Sequence, residues 1–354
     1  MRLKRLREQM VERELDGMLI TNSLNRRYLS GFSGTAGWLL ATAERSMLAV
    51  DFRYYERAER EAPEWEQARV TGTYQDTLVE MVAEGKVGRL GIESDHVTVS
   101  LFQEMQEKLP EVTLVPVKEL VLPMRAVKDA VEIETIRAAV ACADGAFAHL
   151  CQVIRPGMME REVSWELESH MRQHGASSTS FATIVGSGPN GAMPHATASE
   201  RVIGEGESIV IDFGAVVDGY CSDITRTICL GRADDRYLQV WDLVLQAQRA
   251  TEEQVRPGMT GQQADAIARD TFAKAGYTDE FGHGLGHGVG LEIHEFPRVG
   301  RLSDKDVLEP GMVFTVEPGL YFMGWGGVRI EDIVVMHEDG AEVLTQAAKE
   351  PVLA

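Results

Sequence analysis

The chain has little that would place it outside the cell, in a membrane or on nucleic acid. Only four cysteines occur in 354 residues, Cys142, Cys151, Cys221 and Cys229, and no CxxC pair is among them. Disulfide frameworks belong to small secreted domains, so free thiols in a reducing compartment are expected. No apolar run approaches membrane-spanning length, and the N-terminal MRLKRLREQMVERELDG lacks the apolar core of a secretory signal. A cytoplasmic location is the expectation. Cations are also scarce: 35 Lys+Arg against 55 Asp+Glu give a net charge of −20. Such a chain is poorly suited to displacing counterions from nucleic acid or to docking on anionic lipid. A P-loop and a GxSxG nucleophile elbow are missing too. The acid excess is a solubility feature or, in part, a carboxylate cluster that a bound cation neutralises.

What is present divides in two. The first third alternates helix and strand signals: a helix over 2–15, GMLIT, WLLATA, SMLAV, a charged helix from Tyr54 to Arg60, GRLGIES, a helix near 101–108, and TLVPV. This predicts an α/β domain over 1–122. Pro123 then punctuates the chain, and a long helix is predicted from Lys128 to Val153, opening a second domain over 123–354.

The second domain echoes itself. Arg155-Pro156-Gly157-Met158 returns 101 residues later as Arg256-Pro257-Gly258-Met259, each after a long helix and before a shorter one ending at Gly175 or Gly276. IDFG (211–214) matches VEPG (316–319), and GYCSD (219–223) matches GVRIE (327–331). Shared order across these features predicts an α+β domain of two related halves about a pseudo-twofold axis, with a site between them receiving an acid pair from each.

Asp218-Gly219 is a preferred two-residue hairpin turn. From it, alternation puts Asp212 opposite Thr225 and Asp223 on the same face, so the two carboxylates are diagonal neighbours. Glu317 ends one apolar strand of the second half. Glu331 lies within another, with Arg329 on its face and Asp332 on the other. If Asp212, Asp223, Glu317 and Glu331 converge, they cannot all ionise without cations. Two divalent ions would balance them. An oxygen-rich site with one imidazole suits Mn²⁺, Co²⁺ or Fe²⁺ better than a structural zinc.

HGLGHGVGLEIHE (283–295) holds His283, His287 and His294 among alternating glycines. Each glycine costs a helix about 1 kcal/mol relative to alanine, so an extended strand or loop is predicted. His283 and His287 then point to one side, and the bare side admits close approach by backbone or ligand. Two matches are decoys. His294-Glu295-Phe296-Pro297-Arg298 begins like HExxH, but Arg298 replaces the second histidine. Gly186–Gly191 fits GxGxxG, but Pro189 and Pro194 prevent the receiving helix, leaving a loop that presents His195.

The order Asp212, Asp223, HGxGHGVGLEIHE, VEPG and VRIED resembles the pita-bread metallopeptidases, in the aminopeptidase P and prolidase group. The resemblance covers the whole chain: a creatinase-like N-terminal domain and a duplicated catalytic domain. It implies two divalent metals per chain, Mn²⁺ first, with Co²⁺, Fe²⁺ or Zn²⁺ as alternatives. It implies ligation by Asp212, Asp223, His287, Glu317 and Glu331, with Asp223 and Glu331 bridging. His195, His283 and His294 match the family's substrate-handling histidines, and Arg329 an arginine supporting the bridging acid. The implied reaction is hydrolysis of an Xaa-Pro bond, with Glu317 moving the proton and His294 stabilising the oxyanion. Arg298 suits the free carboxylate of a dipeptide, which favours a prolidase over an aminopeptidase P acting on longer peptides. An inactive peptide-binding module is the rival from another class. A homodimer is also implied.

Overall fold

The computed structural model describes residues 1–353. The chain forms two compact units, Met1–Arg125 and a second beginning at Ala126. The division falls three residues beyond the expected one, at the end of the short helix Leu122–Ala126.

The first unit is built on a six-stranded mixed sheet. Its order is Glu66–Val70, Ser46–Asp51, Trp38–Thr42, Gly17–Ile20, Arg89–Glu93, Thr113–Val117. The central Gly17–Ile20 is buried throughout, as an apolar run covered on both faces must be. Leu78, Met81 and Met105 from two helices pack with Leu19, Leu40, Leu90 and Ile92 of the sheet. The helix Ser23–Ser30 has no apolar period because Arg26 is buried in it, donating to the Gly34 and Gly37 carbonyls. Asn22 caps its start through Leu24 N and Asn25 N.

In the second unit the echo is an echo of structure. The long helices Ala130–Val153 and Asp235–Gln254 lead into the shorter Glu160–Gln173 and Gly261–Lys274, whose bounds differ by 101 residues at both ends. The intervening turns match in detail. Gly157 N donates to Ile203 O at 2.9 Å and Gly258 N to Leu308 O at 2.8 Å, and both glycines adopt positive φ, 94° and 88°. Each half has its own antiparallel strands: Ile184–Ser187, Ser208–Phe213 and Ile224–Leu230 in the first, Gly286–Gly288, Val313–Val316 and Asp332–His337 in the second. Each also has its own apolar cluster, around Phe147, Leu167 and Ile211 or around Val244, Phe272 and Phe314. The halves are joined where Glu331 N donates to Thr225 O at 3.0 Å and Arg329 N to Thr227 Oγ1 at 3.0 Å. This seam carries the acids.

Candidate metal centre and active site

The first acid pair is set by a hairpin. Asp218 and Gly219 have φ of 44° and 75°, the left-handed pair that a type I′ turn requires. Pairing then runs Val217↔Tyr220 and Asp212↔Thr225. Gly214 interrupts the ladder, since a Cβ there would lie 1.9 Å from Ser222 O. Asp223 falls in that interruption, between Tyr220–Cys221 and Ile224–Leu230. The second pair flanks the short hairpin Gly319–Phe322 and Gly326–Arg329, with Glu317 before it and Glu331 just after.

All four acids, with His287, line one cavity of about 470 Å³. Oxygens of Asp223 and Glu331 and a ring nitrogen of His287 lie within 4.8 Å of one another. His287 Nε2 is 3.6 Å from Asp223 Oδ2 and 3.4 Å from Glu317 Oε1. Its other nitrogen, Nδ1, faces Gly288 O at 3.1 Å. A carbonyl only accepts, so Nδ1 carries the proton and the Nε2 lone pair is turned toward the acids. Burial, helped by neighbouring His294, lowers this imidazole's pKa to about 4. The ring is therefore neutral, as a ligand must be.

The carboxyls are held out of their ordinary range. Burial pushes Asp223 and Glu331 well up, and Glu317 and Asp212 add repulsion to both. Burial raises Glu317 to about 8 despite the pull of Arg329. Asp212 is raised by burial, with Arg329 opposing. Its Oδ2 accepts from Arg329 Nη2 at 2.5 Å, whereas Oδ1 is buried with no hydrogen-bond partner. An orphaned carboxylate oxygen, a neutral imidazole offering its lone pair, and clustered acids that resist ionisation fit divalent cations.

Residues that sequence reasoning missed hold these donors. Thr225 Oγ1 donates to Glu331 Oε2 at 2.5 Å, and Thr315 Oγ1 donates to Glu317 Oε1 at 3.2 Å. Tyr321 lies between Arg329 Nη1 (2.8 Å) and His283 Nε2 (2.9 Å). Nothing in local sequence points to Tyr321, because the hairpin at 319–329 has to fold before it meets His283. An apolar side of the cavity, with Phe181, Ala182, Pro194 and Ile293, was missed as well.

Three expected roles change in detail. Arg329 contacts Asp212 directly and reaches Glu331 only through Thr225, to whose Oγ1 its Nε donates at 3.0 Å. His283 lines the cavity, but Nδ1 is engaged by Gly284 O at 2.7 Å and Nε2 by Tyr321. Burial lowers its pKa to about 4, so it is a neutral ring with both nitrogens occupied. Arg298 is exposed, in register with His287, with its guanidinium 5.3 Å from the Phe296 ring centroid, and it does not line the cavity. By contrast, His195 and His294 are exposed on the cavity wall. The HE dipeptide also has a structural use. Glu295 is buried against Lys128 Nζ at 2.8 Å and lies under Gly290, where a Cβ would be 2.2 Å from Glu295 Oε1.

Comparison with known proteins decides the family. The sequence profile of metallopeptidase family M24 matches residues 134–338, and that of the creatinase/prolidase N-terminal domain matches 2–127. The chain belongs to family M24. A solved Xaa-Pro dipeptidase from Bacillus anthracis is 43% identical, covering 100% of this chain and 99% of its own, with a TM-score of 0.97. An Xaa-Pro dipeptidase from Pyrococcus horikoshii is 38% identical over 99% of this chain and 98% of its own. An X-Pro aminopeptidase structure from Thermotoga maritima is 37% identical, covers 99% and 100%, and has a TM-score of 0.93. M24 membership makes the chain a metallopeptidase with the pita-bread catalytic domain, and implies divalent metal ions. No helix among the described residues is long and apolar enough to cross a membrane.

Proposed function

We propose that this M24 chain hydrolyses Xaa-Pro dipeptides, with Asp212, Asp223, His287, Glu317 and Glu331 holding two divalent cations. Mn²⁺ is the first choice, with Co²⁺, Fe²⁺ or Zn²⁺ as alternatives. The observation that carries the proposal is the convergence of these five donors, with a lone pair and an orphaned oxygen among them, on one cavity. Cations bound there supply Lewis acidity, lowering the pKa of water and offsetting charge that develops on the peptide carbonyl.

The chain's own groups do the rest. Glu317, ionised once bound cations offset the burial that raises its carboxyl in the metal-free protein, can accept a proton from water and return it to the departing proline nitrogen. His294 and His195, exposed on the wall, can donate to the carbonyl of the bound peptide. His283 and Arg329 fix the wall through Tyr321 rather than through a free nitrogen. The Xaa-Pro bond is a tertiary amide without N–H, so its recognition falls to shape and to the peptide's ends. Phe181, Pro194 and Ile293 offer an apolar side for the ring; Arg298, outside the cavity lining, would have to swing in from the surface to offer its guanidinium to the free carboxylate.

The names of full-length relatives support the dipeptidase reading, while the Thermotoga aminopeptidase keeps longer Xaa-Pro-peptides as the second. Four free cysteines support a reducing, cytoplasmic setting. A homodimer is part of the proposal and is checked by light scattering. The test of activity uses Ala-Pro, Ala-Pro-Gly and Ala-Ala with Mn²⁺. Cleavage of Ala-Pro alone supports the proposal. Cleavage of Ala-Pro-Gly as well moves it to the aminopeptidase reading, and no turnover of any leaves an inactive binding module. Arg298→Ala should raise KM for Ala-Pro and leave kcat near its parent value. An unchanged KM removes the carboxylate clamp.

A further inference from the structure

His195 reaches the cavity on an arm with little regular structure. After the strand Ile184–Ser187 comes a short 3-10 turn, Gly188–Ala192, and then irregular chain to Ser199. One buried side chain fastens this arm. Glu160, the first residue of the helix Glu160–Gln173, is fully buried. Its Oε1 accepts from Ser187 N and Oγ, both at 2.8 Å, and from Asn190 Nδ2 at 3.0 Å. Its Oε2 accepts from Ser199 N at 3.1 Å, Ser199 Oγ at 2.5 Å and Asn190 Nδ2 at 3.1 Å. One carboxylate thus grips the chain before the arm, within it and after it.

Burial alone would raise this carboxyl. The hydrogen bonds from Ser199, Ser187 and Asn190 outweigh burial and hold it below its ordinary value, so at neutral pH it accepts at every contact. The duplication does not require such a group. The position 101 residues on is Gly261, where a Cβ would lie 2.1 Å from Arg298 O. The staple therefore belongs to the half that carries the arm and not to the repeated scaffold.

We propose that Glu160 is a positioning residue for His195: its carboxylate ties Ser187, Asn190 and Ser199 together and so fixes the arm that forms one wall of the cavity. The consequence for turnover rests on the peptidase reading above; the consequence for the arm does not. The test combines two readouts on the full chain. In Glu160→Gln, which keeps the shape but turns an amide toward the donors, hydrogen–deuterium exchange should quicken in peptides covering 187–199. Exchange in the helix Asp235–Gln254 should be unchanged. Ser199→Ala should show the same pattern more weakly, and it serves if Glu160→Gln does not fold. On Ala-Pro, the Glu160 variant should lose roughly tenfold or more in kcat/KM, as expected when a reacting group is misplaced. In a His195→Ala background the same change should cost less than about twofold, because the residue acts through His195. Equal losses in both backgrounds, or unchanged exchange at 187–199, overturn the proposal. If the parent cleaves no Xaa-Pro peptide, the functional reading falls and the exchange experiment still decides the role of Glu160.

Discussion

Glu317 has two chemical demands placed on it. It faces His287 Nε2 at 3.4 Å, as a ligand would, and it is the carboxylate proposed to carry the proton once bound cations offset the burial that holds the metal-free acid near pKa 8. Glu317→Gln keeps the volume and removes both roles. The expected loss in kcat is at least about 10²-fold, with a melting temperature no lower than the parent's for protein stripped of metal, because a strained buried acid has gone. A variant that stays active and melts far below the parent would show that Glu317 only supports the fold. At this scale much of the site was legible. The hairpin register from Asp218-Gly219 to Asp212↔Thr225 is as alternation predicts. Thr225, Thr315 and Tyr321 were not, because their significance lies in what faces them across strands far apart in the chain. Arg329 was placed on the face of Glu331, but only the packing of the two halves shows that Asp212 takes its guanidinium.

The histidine segment shows the same limit for an element. Alternate glycines argued against a helix and for close approach on the bare side. The structure shows that the approaching group is mainly backbone. A Cβ at Gly286 would lie 2.1 Å from Thr315 O, and one at Gly288 would lie 2.1 Å from Phe296 O. These glycines let His287 sit between the neighbouring strands, close enough for its ring to reach the acids. Gly282 differs, since nothing lies within 4 Å of a Cβ there. Gly286→Ala should therefore destabilise by about 1–3 kcal/mol through overpacking and lower metal affinity, while Gly282→Ala should melt like the parent. Equal melting of both variants would contradict this account of the segment. In the first unit the buried apolar strands were readable from composition. The edge strand Glu66–Val70 was not, because its polar EQARV carries no apolar alternation. The helix Tyr74–Gly85 did carry a signal, the capping box of Thr73 and Asp76.

Across the whole molecule, the acid cluster couples folding, pH and metal. Glu317 ionises near 4.5 when unfolded and about 8 when folded, and burial shifts Asp223 and Glu331 in the same direction. Between those values the folded, metal-free protein holds protons that the unfolded chain has released. The stability these raised carboxyls contribute is therefore full below about pH 4.5 and is lost as pH rises toward about 8. Other groups add their own slopes, so the check is the difference from Glu317→Gln. With a chelator present, the parent should lose more melting temperature from pH 5 to 8 than the variant. Added Mn²⁺ should raise the parent most at the high end, where the ligands are freed of protons. Parallel curves for parent and variant would contradict the assigned shift.

The central claim is that five side chains hold two cations and that peptide hydrolysis depends on them. Titration of metal-stripped protein with Mn²⁺, following Ala-Pro turnover and bound metal together, tests it most directly. The account predicts no turnover in chelator and activity that rises with metal to a plateau at two equivalents per chain. Asp223→Asn should bind fewer equivalents and remain inactive. Undiminished turnover by the stripped protein in chelator would contradict it.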